Sequence, residues 1–206
     1  MSLLSSLGLL GGVFSLIGYY PYARSIIRGE AEPERATWLI NALSNILILL
    51  SYFELGARTT IWVPVAYTIG TLFIAFLSFI YGRTGWGLIE QSTLVVAIIS
   101  AIRWVFFNNV FLTLILIFSI GMIAYAKRFK KLVWGNEKER GQEDIIEWSM
   151  FFLGGLLNLL AVNVWTWEIA LFPALIFALN GTIFFLVVKN SFENRSQRTK
   201  EDTELM

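Results

Sequence analysis

Asn45, Thr68, Thr71, Asn158 and Asn180 each lie near the middle of a long apolar run. Amide and hydroxyl side chains in such places donate and accept hydrogen bonds without carrying charge. Their chemistry is recognition of a neutral, hydrogen-bonding solute, or hydrogen bonding between helices. Asn41 and Asn45 stand four residues apart and share one helical face, with Trp38 three residues earlier. Ser15, Ser119 and Thr182 extend the same uncharged set. Ionisable residues are placed differently. Glu54, Glu90, Glu147 and Glu168 stand at the ends of apolar runs, and Arg103 lies about one helical turn inside its own. From there the Arg103 guanidinium either snorkels to the surface or pairs with Glu168 or Glu54 as a gate. No carboxylate stands mid-run, where a proton relay would need one, so passive facilitation is the expected mode of any transport.

The chain of 206 residues has no histidine and no cysteine. That removes His-based triads, cysteine nucleophiles, histidine and thiolate metal sites, haem axial histidine and disulfides. Mid-run aspartate pairs are absent as well, so no enzyme activity, metal or cofactor is expected. A formal net charge of +1 offers no bulk electrostatic reason to bind nucleic acid.

The elements that must position these residues are membrane helices. Hydrophobic residues make up 56% of the chain and charged residues 15%, against roughly 45–50% and about 25% in soluble domains. Seven runs suit a hydrocarbon core about 30 Å thick: Leu3–Tyr22, Thr37–Leu55, Ile61–Tyr81, Leu88–Phe107, Val110–Ala126, Ile145–Val164 and Trp167–Val188. Strand alternation is absent over these lengths, which argues against a barrel. Connections are short, with no room for a soluble catalytic domain. The first run has no basic residue before it and no small-x-small cleavage site after it, so it is expected to be a retained helix. The stretch from Asn190 to Met206 is expected to be a polar, frayed cytoplasmic tail. Glycines at Gly8, Gly11, Gly12, Gly154 and Gly155 allow close helix approach.

Positive charge sets the orientation. Threading seven spans puts Arg24, Arg28, Arg35, Arg83, Lys127, Arg128, Lys130, Lys131, Lys138, Arg140, Lys189, Arg195, Arg198 and Lys200 on one side. Only Arg58 falls on the other, and Arg103 lies inside a span. The chain is therefore expected in a prokaryotic cell membrane as a multi-pass protein, N-terminus outside and C-terminus cytoplasmic. All eight tryptophans, Trp38, Trp62, Trp86, Trp104, Trp134, Trp148, Trp165 and Trp167, stand at or near span ends, as an interfacial aromatic belt would.

The first half of the chain repeats in the second. Phe14-Ser15, Ile17-Gly18 and Tyr22-Ala23-Arg24 align with Phe118-Ser119, Ile120-Gly121 and Tyr125-Ala126-Lys127, allowing one gap. Trp38 aligns with Trp148, and Gly70-Thr71-Leu72-Phe73 with Gly181-Thr182-Ile183-Phe184. The expected fold is an all-α integral membrane protein whose seven transmembrane helices form 3+1+3 parallel repeats. Residues 1–82 form the first three-helix repeat, 83–109 the linker helix, 110–189 the second repeat and 190–206 the tail.

Seven helices in this arrangement, with Pro21 near the inner end of the first, resemble the SWEET and PQ-loop superfamily. Tyr20-Pro21-Tyr22-Ala23-Arg24, Gly29, Pro33, Arg35, Thr37-Trp38-Leu39, Trp165-Thr166-Trp167 and Leu171-Phe172-Pro173 are similar to a group of prokaryotic PQ-loop-like membrane proteins. The resemblance implies alternating access between two triple-helix bundles, with Pro21 as a hinge. It also implies a sugar-facing asparagine on the third helix of each repeat, a role open to Asn180. There are departures. Pro21-Tyr22 replaces the proline–glutamine pair, its repeat partner Ala124-Tyr125 has no proline, and Ile69, beside Thr68, aligns with Asn180.

The sequence is therefore read as a membrane carrier for a small neutral polar solute. Asn180, Asn45, Asn158, Thr68 and Thr71 line its site, Pro21 is the hinge, and Arg103, Glu168 and Glu54 form the gate. The alternatives are a cation channel of the trimeric type and a membrane sensor or assembly partner without transport. The expected partners are the lipid bilayer and a small-molecule solute; assembly with further copies of itself is left open.

Overall fold

A computed structural model describes residues 2–107, 110–135 and 143–204 of the chain. Its named elements are seven helices: α1 (Leu3–Ile27), α2 (Arg35–Glu54), α3 (Trp62–Tyr81), α4 (Leu88–Phe107), α5 (Val110–Trp134), α6 (Ile145–Leu160) and α7 (Trp167–Glu204). Among the described residues the one β feature is an isolated bridge between Glu34 and Arg83. In α1, α2, α3 and the Trp167–Glu193 stretch of α7 the chain is long and apolar enough to cross a membrane, and α6 is a shorter apolar helix. Lys138 and Arg140, assigned above to the basic side, lie outside the described residues.

Local chemistry explains the helix ends. Ser2 caps α1 by accepting from the Ser5 amide at 3.2 Å. Asp144 caps α6 by accepting from the amides of Ile146 and Glu147 at 2.7 and 3.0 Å. Gly29 (φ 71°) and Gly56 (φ 66°) take the left-handed conformation that ends α1 and α2. Several helices differ from the apolar runs. α1 continues through Pro21 to Ile27, since an interior proline removes only one intrahelical donor. α5 runs beyond Ala126 into its basic stretch because Leu132, only 1% exposed, still faces the core. α6 ends early at Leu160.

The expected frayed tail instead continues α7 as helix through Glu204. No glycine or proline interrupts the chain after Gly181. Asn190 anchors the tail by donating its side-chain amide to the Leu132 carbonyl oxygen at 3.0 Å, and Lys189 and Glu193 form an i,i+4 pair at 3.7 Å.

In the first half, α3 packs against both α1 and α2; in the second, α7 packs against both α5 and α6. α1 crosses to α6, α2 lies beside α5, and α4 covers α2 and α5. The α1–α6 seam is built on glycine. A Cβ on Gly11 would stand 2.9 Å from the Gly154 carbonyl oxygen; on the neighbouring α1–α3 contact, one on Gly12 would stand 2.7 Å from that of Trp62. One on Gly154 would collide with the Ser15 hydroxyl. The α2–α5 side is looser: a Cβ on Gly121 of α5 would meet nothing within 4 Å.

The core is aromatic, with Tyr19, Tyr52, Tyr67, Trp148, Phe151 and Phe172 in one buried cluster. Trp148 is 2% exposed, so it belongs to this core and not to an interfacial belt; Trp38 is half-buried against Tyr22. Trp62, Trp86, Trp134, Trp165 and Trp167 are exposed, as belt residues should be. In the two halves, Gly70 packs on the Tyr19 ring of α1 and Gly181 beside Phe152 of α6. These two aligned glycines therefore meet non-equivalent helices.

Candidate functional site

A cavity of about 540 Å³ lies between α1–α3 on one side and α5–α7 on the other, with Glu90 and Thr93 of α4 at its edge. Its size falls within the range of small-molecule sites. Tyr19, Tyr22, Trp38 and Tyr67 line it from the first half. Phe118, Tyr125, Trp148, Phe151 and Phe172 line it from the second. Tyr22 and Trp38 pair at 5.3 Å between ring centroids, and Tyr125 and Trp148 pair edge-on at 6.4 Å. Between these rings, α2 presents a polar stripe of Asn41, Ser44 and Asn45, spaced to share one helical face.

Asn45 and Thr71 line the cavity. Asn45 donates one amide hydrogen to its own helix, to the Asn41 carbonyl oxygen at 2.9 Å. The Thr71 hydroxyl bonds back to the Tyr67 carbonyl oxygen at 2.7 Å. Asn180, Thr68 and Asn158 lie behind the wall, outside the lining set. Asn180 is fully buried and makes three hydrogen bonds. It donates to the Tyr67 hydroxyl at 2.8 Å and to the Phe151 carbonyl oxygen at 3.1 Å, and accepts from the Tyr125 hydroxyl at 2.6 Å. The Phe151 carbonyl can only accept, which fixes the orientation of the Asn180 amide. Asn180 thus holds two of the four cavity-lining tyrosines, Tyr67 and Tyr125, one from each half. Thr68 donates to the carbonyl oxygens of Pro64 and Asn45 at 2.8 and 3.0 Å, tying α3 to α2. Asn158 is fully buried on α6 beside Gly11.

Pro21 lies inside the continuous α1, half-buried and outside the lining set. Arg103 and Glu168 are half-buried and Glu54 is exposed, all outside the lining set. Other groups bridge the halves near that end. The Tyr52 hydroxyl of α2 donates to the Ile169 carbonyl oxygen of α7 at 2.7 Å. The Thr59 hydroxyl donates to the Asn163 amide oxygen at 2.9 Å.

The opposite, basic end holds the cavity mouth. Four acidic residues (Glu32, Glu34, Glu90 and Glu143) and four basic ones (Arg83, Lys127, Arg128 and Lys131) line it. Most are cross-paired: Arg83 with Glu34 at 2.6 Å, Lys127 with Glu90 at 2.8 Å, and Arg128 and Lys131 with Glu143 at 3.3 and 3.5 Å. Glu143 also accepts from the Trp148 indole at 3.0 Å, and the Arg128 guanidinium sits 4.9 Å over the Trp148 ring. Burial works to raise the Glu143 carboxyl, but Arg128, the Trp148 indole and Lys131 together hold it below the ordinary carboxylate range. Burial works to lower Arg128, and Glu143 and Glu147 more than reverse it, holding its pKa above the ordinary value.

The sequence reading missed most of this site. Tyr19 and Tyr67 carry no motif, Tyr22 and Tyr125 stand out only by their alignment with each other, and Trp38 and Trp148 look like belt residues at span ends. The available signal was spacing: Tyr19 and Tyr22 share a face, as do Tyr67 and Thr71. Tyr22 and Trp38 align with Tyr125 and Trp148 in the sequence. No family model, curated protein or solved structure matches the chain.

Proposed function

We propose that the chain is a membrane carrier for a small neutral polar solute, of PQ-loop and SWEET-like type. In this reading α1–α3 and α5–α7 are parallel repeats joined by α4, and they rock about the cavity. In this reading the charged mouth of the cavity opens toward the cytoplasm. One observation carries the reading: a cavity lies between the halves, its mouth ringed by charges that cancel, while hydrogen bonds join the halves at the other end. Charge cancellation favours a neutral solute, since no net field selects an ion.

Packing supports the repeat. In each half the third helix lies against both others, and exchanging the halves turns the α1–α6 contact into the α5–α2 contact. The Tyr22–Trp38 and Tyr125–Trp148 ring pairs occupy corresponding places at the mouth.

Because the chain has no cysteine, paired spin labels test the reading cleanly. Arg58→Cys with Trp165→Cys reports one end, and Arg28→Cys with Lys130→Cys the other. In proteoliposomes under solute exchange, one distance should lengthen as the other shortens. Two unchanging distances, with no solute counterflow, would refute the carrier.

A further inference from the structure

We propose that the solute is a flat, neutral ring with an amide-like edge, read on α2 by Asn41, Ser44 and Asn45; this rests on the carrier reading above. The first observation concerns the hydrogen-bonding capacity that remains inside the cavity. Asn180 lies behind the wall with both amide hydrogens committed, and Thr71 bonds back to its own helix. The Ser44 hydroxyl is buried, lines the cavity and has no hydrogen-bond partner. Next to it, Asn45 commits one amide hydrogen to the Asn41 carbonyl oxygen, leaving its amide oxygen for an incoming donor. On α2 these groups sit on one face of the helix, as a row of adjacent donors and acceptors.

The second observation is the remaining wall. Rings such as Phe118 and Trp38 dominate it. A polyol carries hydroxyls all around its ring and would leave most of them unpaired against such walls. A planar heteroaromatic keeps its hydrogen-bonding groups on its edge and offers both faces to aromatic side chains. A lactam or carboxamide edge, with donor and acceptor side by side, matches the hydroxyl–carboxamide row of α2. The cancelling charges at the mouth admit such a neutral molecule without selecting an ion.

The test is equilibrium dialysis of the full chain in detergent with radiolabelled uracil, benzamide and glucose. Uracil and benzamide should be retained and glucose should not. Ser44→Ala and Asn45→Ala should each weaken uracil binding tenfold or more, with an unchanged melting temperature in Ser44→Ala, whose hydroxyl bonds nothing. Retention of glucose without either flat probe would overturn the ring assignment and leave the carrier reading standing. Uracil binding unaltered by both substitutions would overturn the assignment to α2. Failure of both flat probes would overturn the proposal, while the spin-label distances decide separately whether the halves alternate.

Discussion

The Tyr52 hydroxyl donates to the Ile169 carbonyl oxygen at 2.7 Å, four residues before Pro173 in α7. Proline has no N–H, so it cannot supply the intrahelical bond that this carbonyl would otherwise accept. Tyr52 of α2 fills that place from the other half of the molecule. The proline of α7 thus creates an acceptor, and a tyrosine of α2 uses it to hold the two halves together at the end away from the cavity mouth.

Tyr52→Phe should therefore loosen that end. Losing the donor and leaving the carbonyl unpaired costs about 1–3 kcal/mol. The Arg58–Trp165 spin-label distance should shift to longer values in this variant. Pro173→Ala restores an intrahelical donor to Ile169, so the stability losses in the double variant should not add. An unshifted distance in Tyr52→Phe would remove the latch.

Asn180→Ala breaks three hydrogen bonds at once and leaves two tyrosine hydroxyls without their partner. It should lower stability by about 2–3 kcal/mol, visible as a lower melting temperature in detergent. Solute affinity should fall with it, because Tyr67 and Tyr125 lose their fixed orientation. Lost affinity at full stability would instead mean that Asn180 touches solute directly.

The two helical seams should respond oppositely to an added methyl group. Gly154→Ala drives a Cβ into Ser15 and to 2.9 Å from the Gly11 carbonyl oxygen, and should destabilise by about 1–3 kcal/mol. Gly121→Ala enters open space and should stabilise by up to about 1 kcal/mol through helix propensity alone. Chemical or thermal unfolding of the two variants side by side checks the contrast.

Acid should act on the mouth through Glu143. Its pKa is depressed in the folded chain, so it contributes stability above the ordinary carboxylate value of about 4.3. That contribution is lost as pH falls through the lower folded value. Melting temperature should drop over that interval, and Glu143→Gln should flatten the drop while lowering stability at neutral pH. An identical acid profile in the variant would disconnect Glu143 from it.

The helices were legible because the physics that makes them is local. Apolar length marks a span whatever its neighbours, and α4 matches its apolar run from Leu88 to Phe107. Ends were less legible where tertiary contacts prolong a helix, as Leu132 does for α5 and Asn190 for α7. The site was only partly legible for the same reason. Asn45 and Thr71 point into the cavity, whereas Asn180 lies behind its wall. All three are polar residues in apolar runs, and only helix rotation and partner choice separate them. Trp148 at the start of α6 has the sequence context of a belt residue. It becomes core because Tyr125, Phe151 and Arg128 close over it.

The glycine-built contact between α1 and α6 also bears on how this chain can vary. Along that contact a carbon added at Gly11 meets the Gly154 backbone, which cannot yield by changing rotamer, and one added at Gly154 meets both Ser15 and the Gly11 backbone. On the α2–α5 side, Gly121 faces empty space and the polar stripe lines the cavity. Substitutions there should change the cavity wall while leaving the backbone packing intact. New specificities can therefore arise on one flank of the bundle by single steps, while the other flank keeps the architecture in which they are tried.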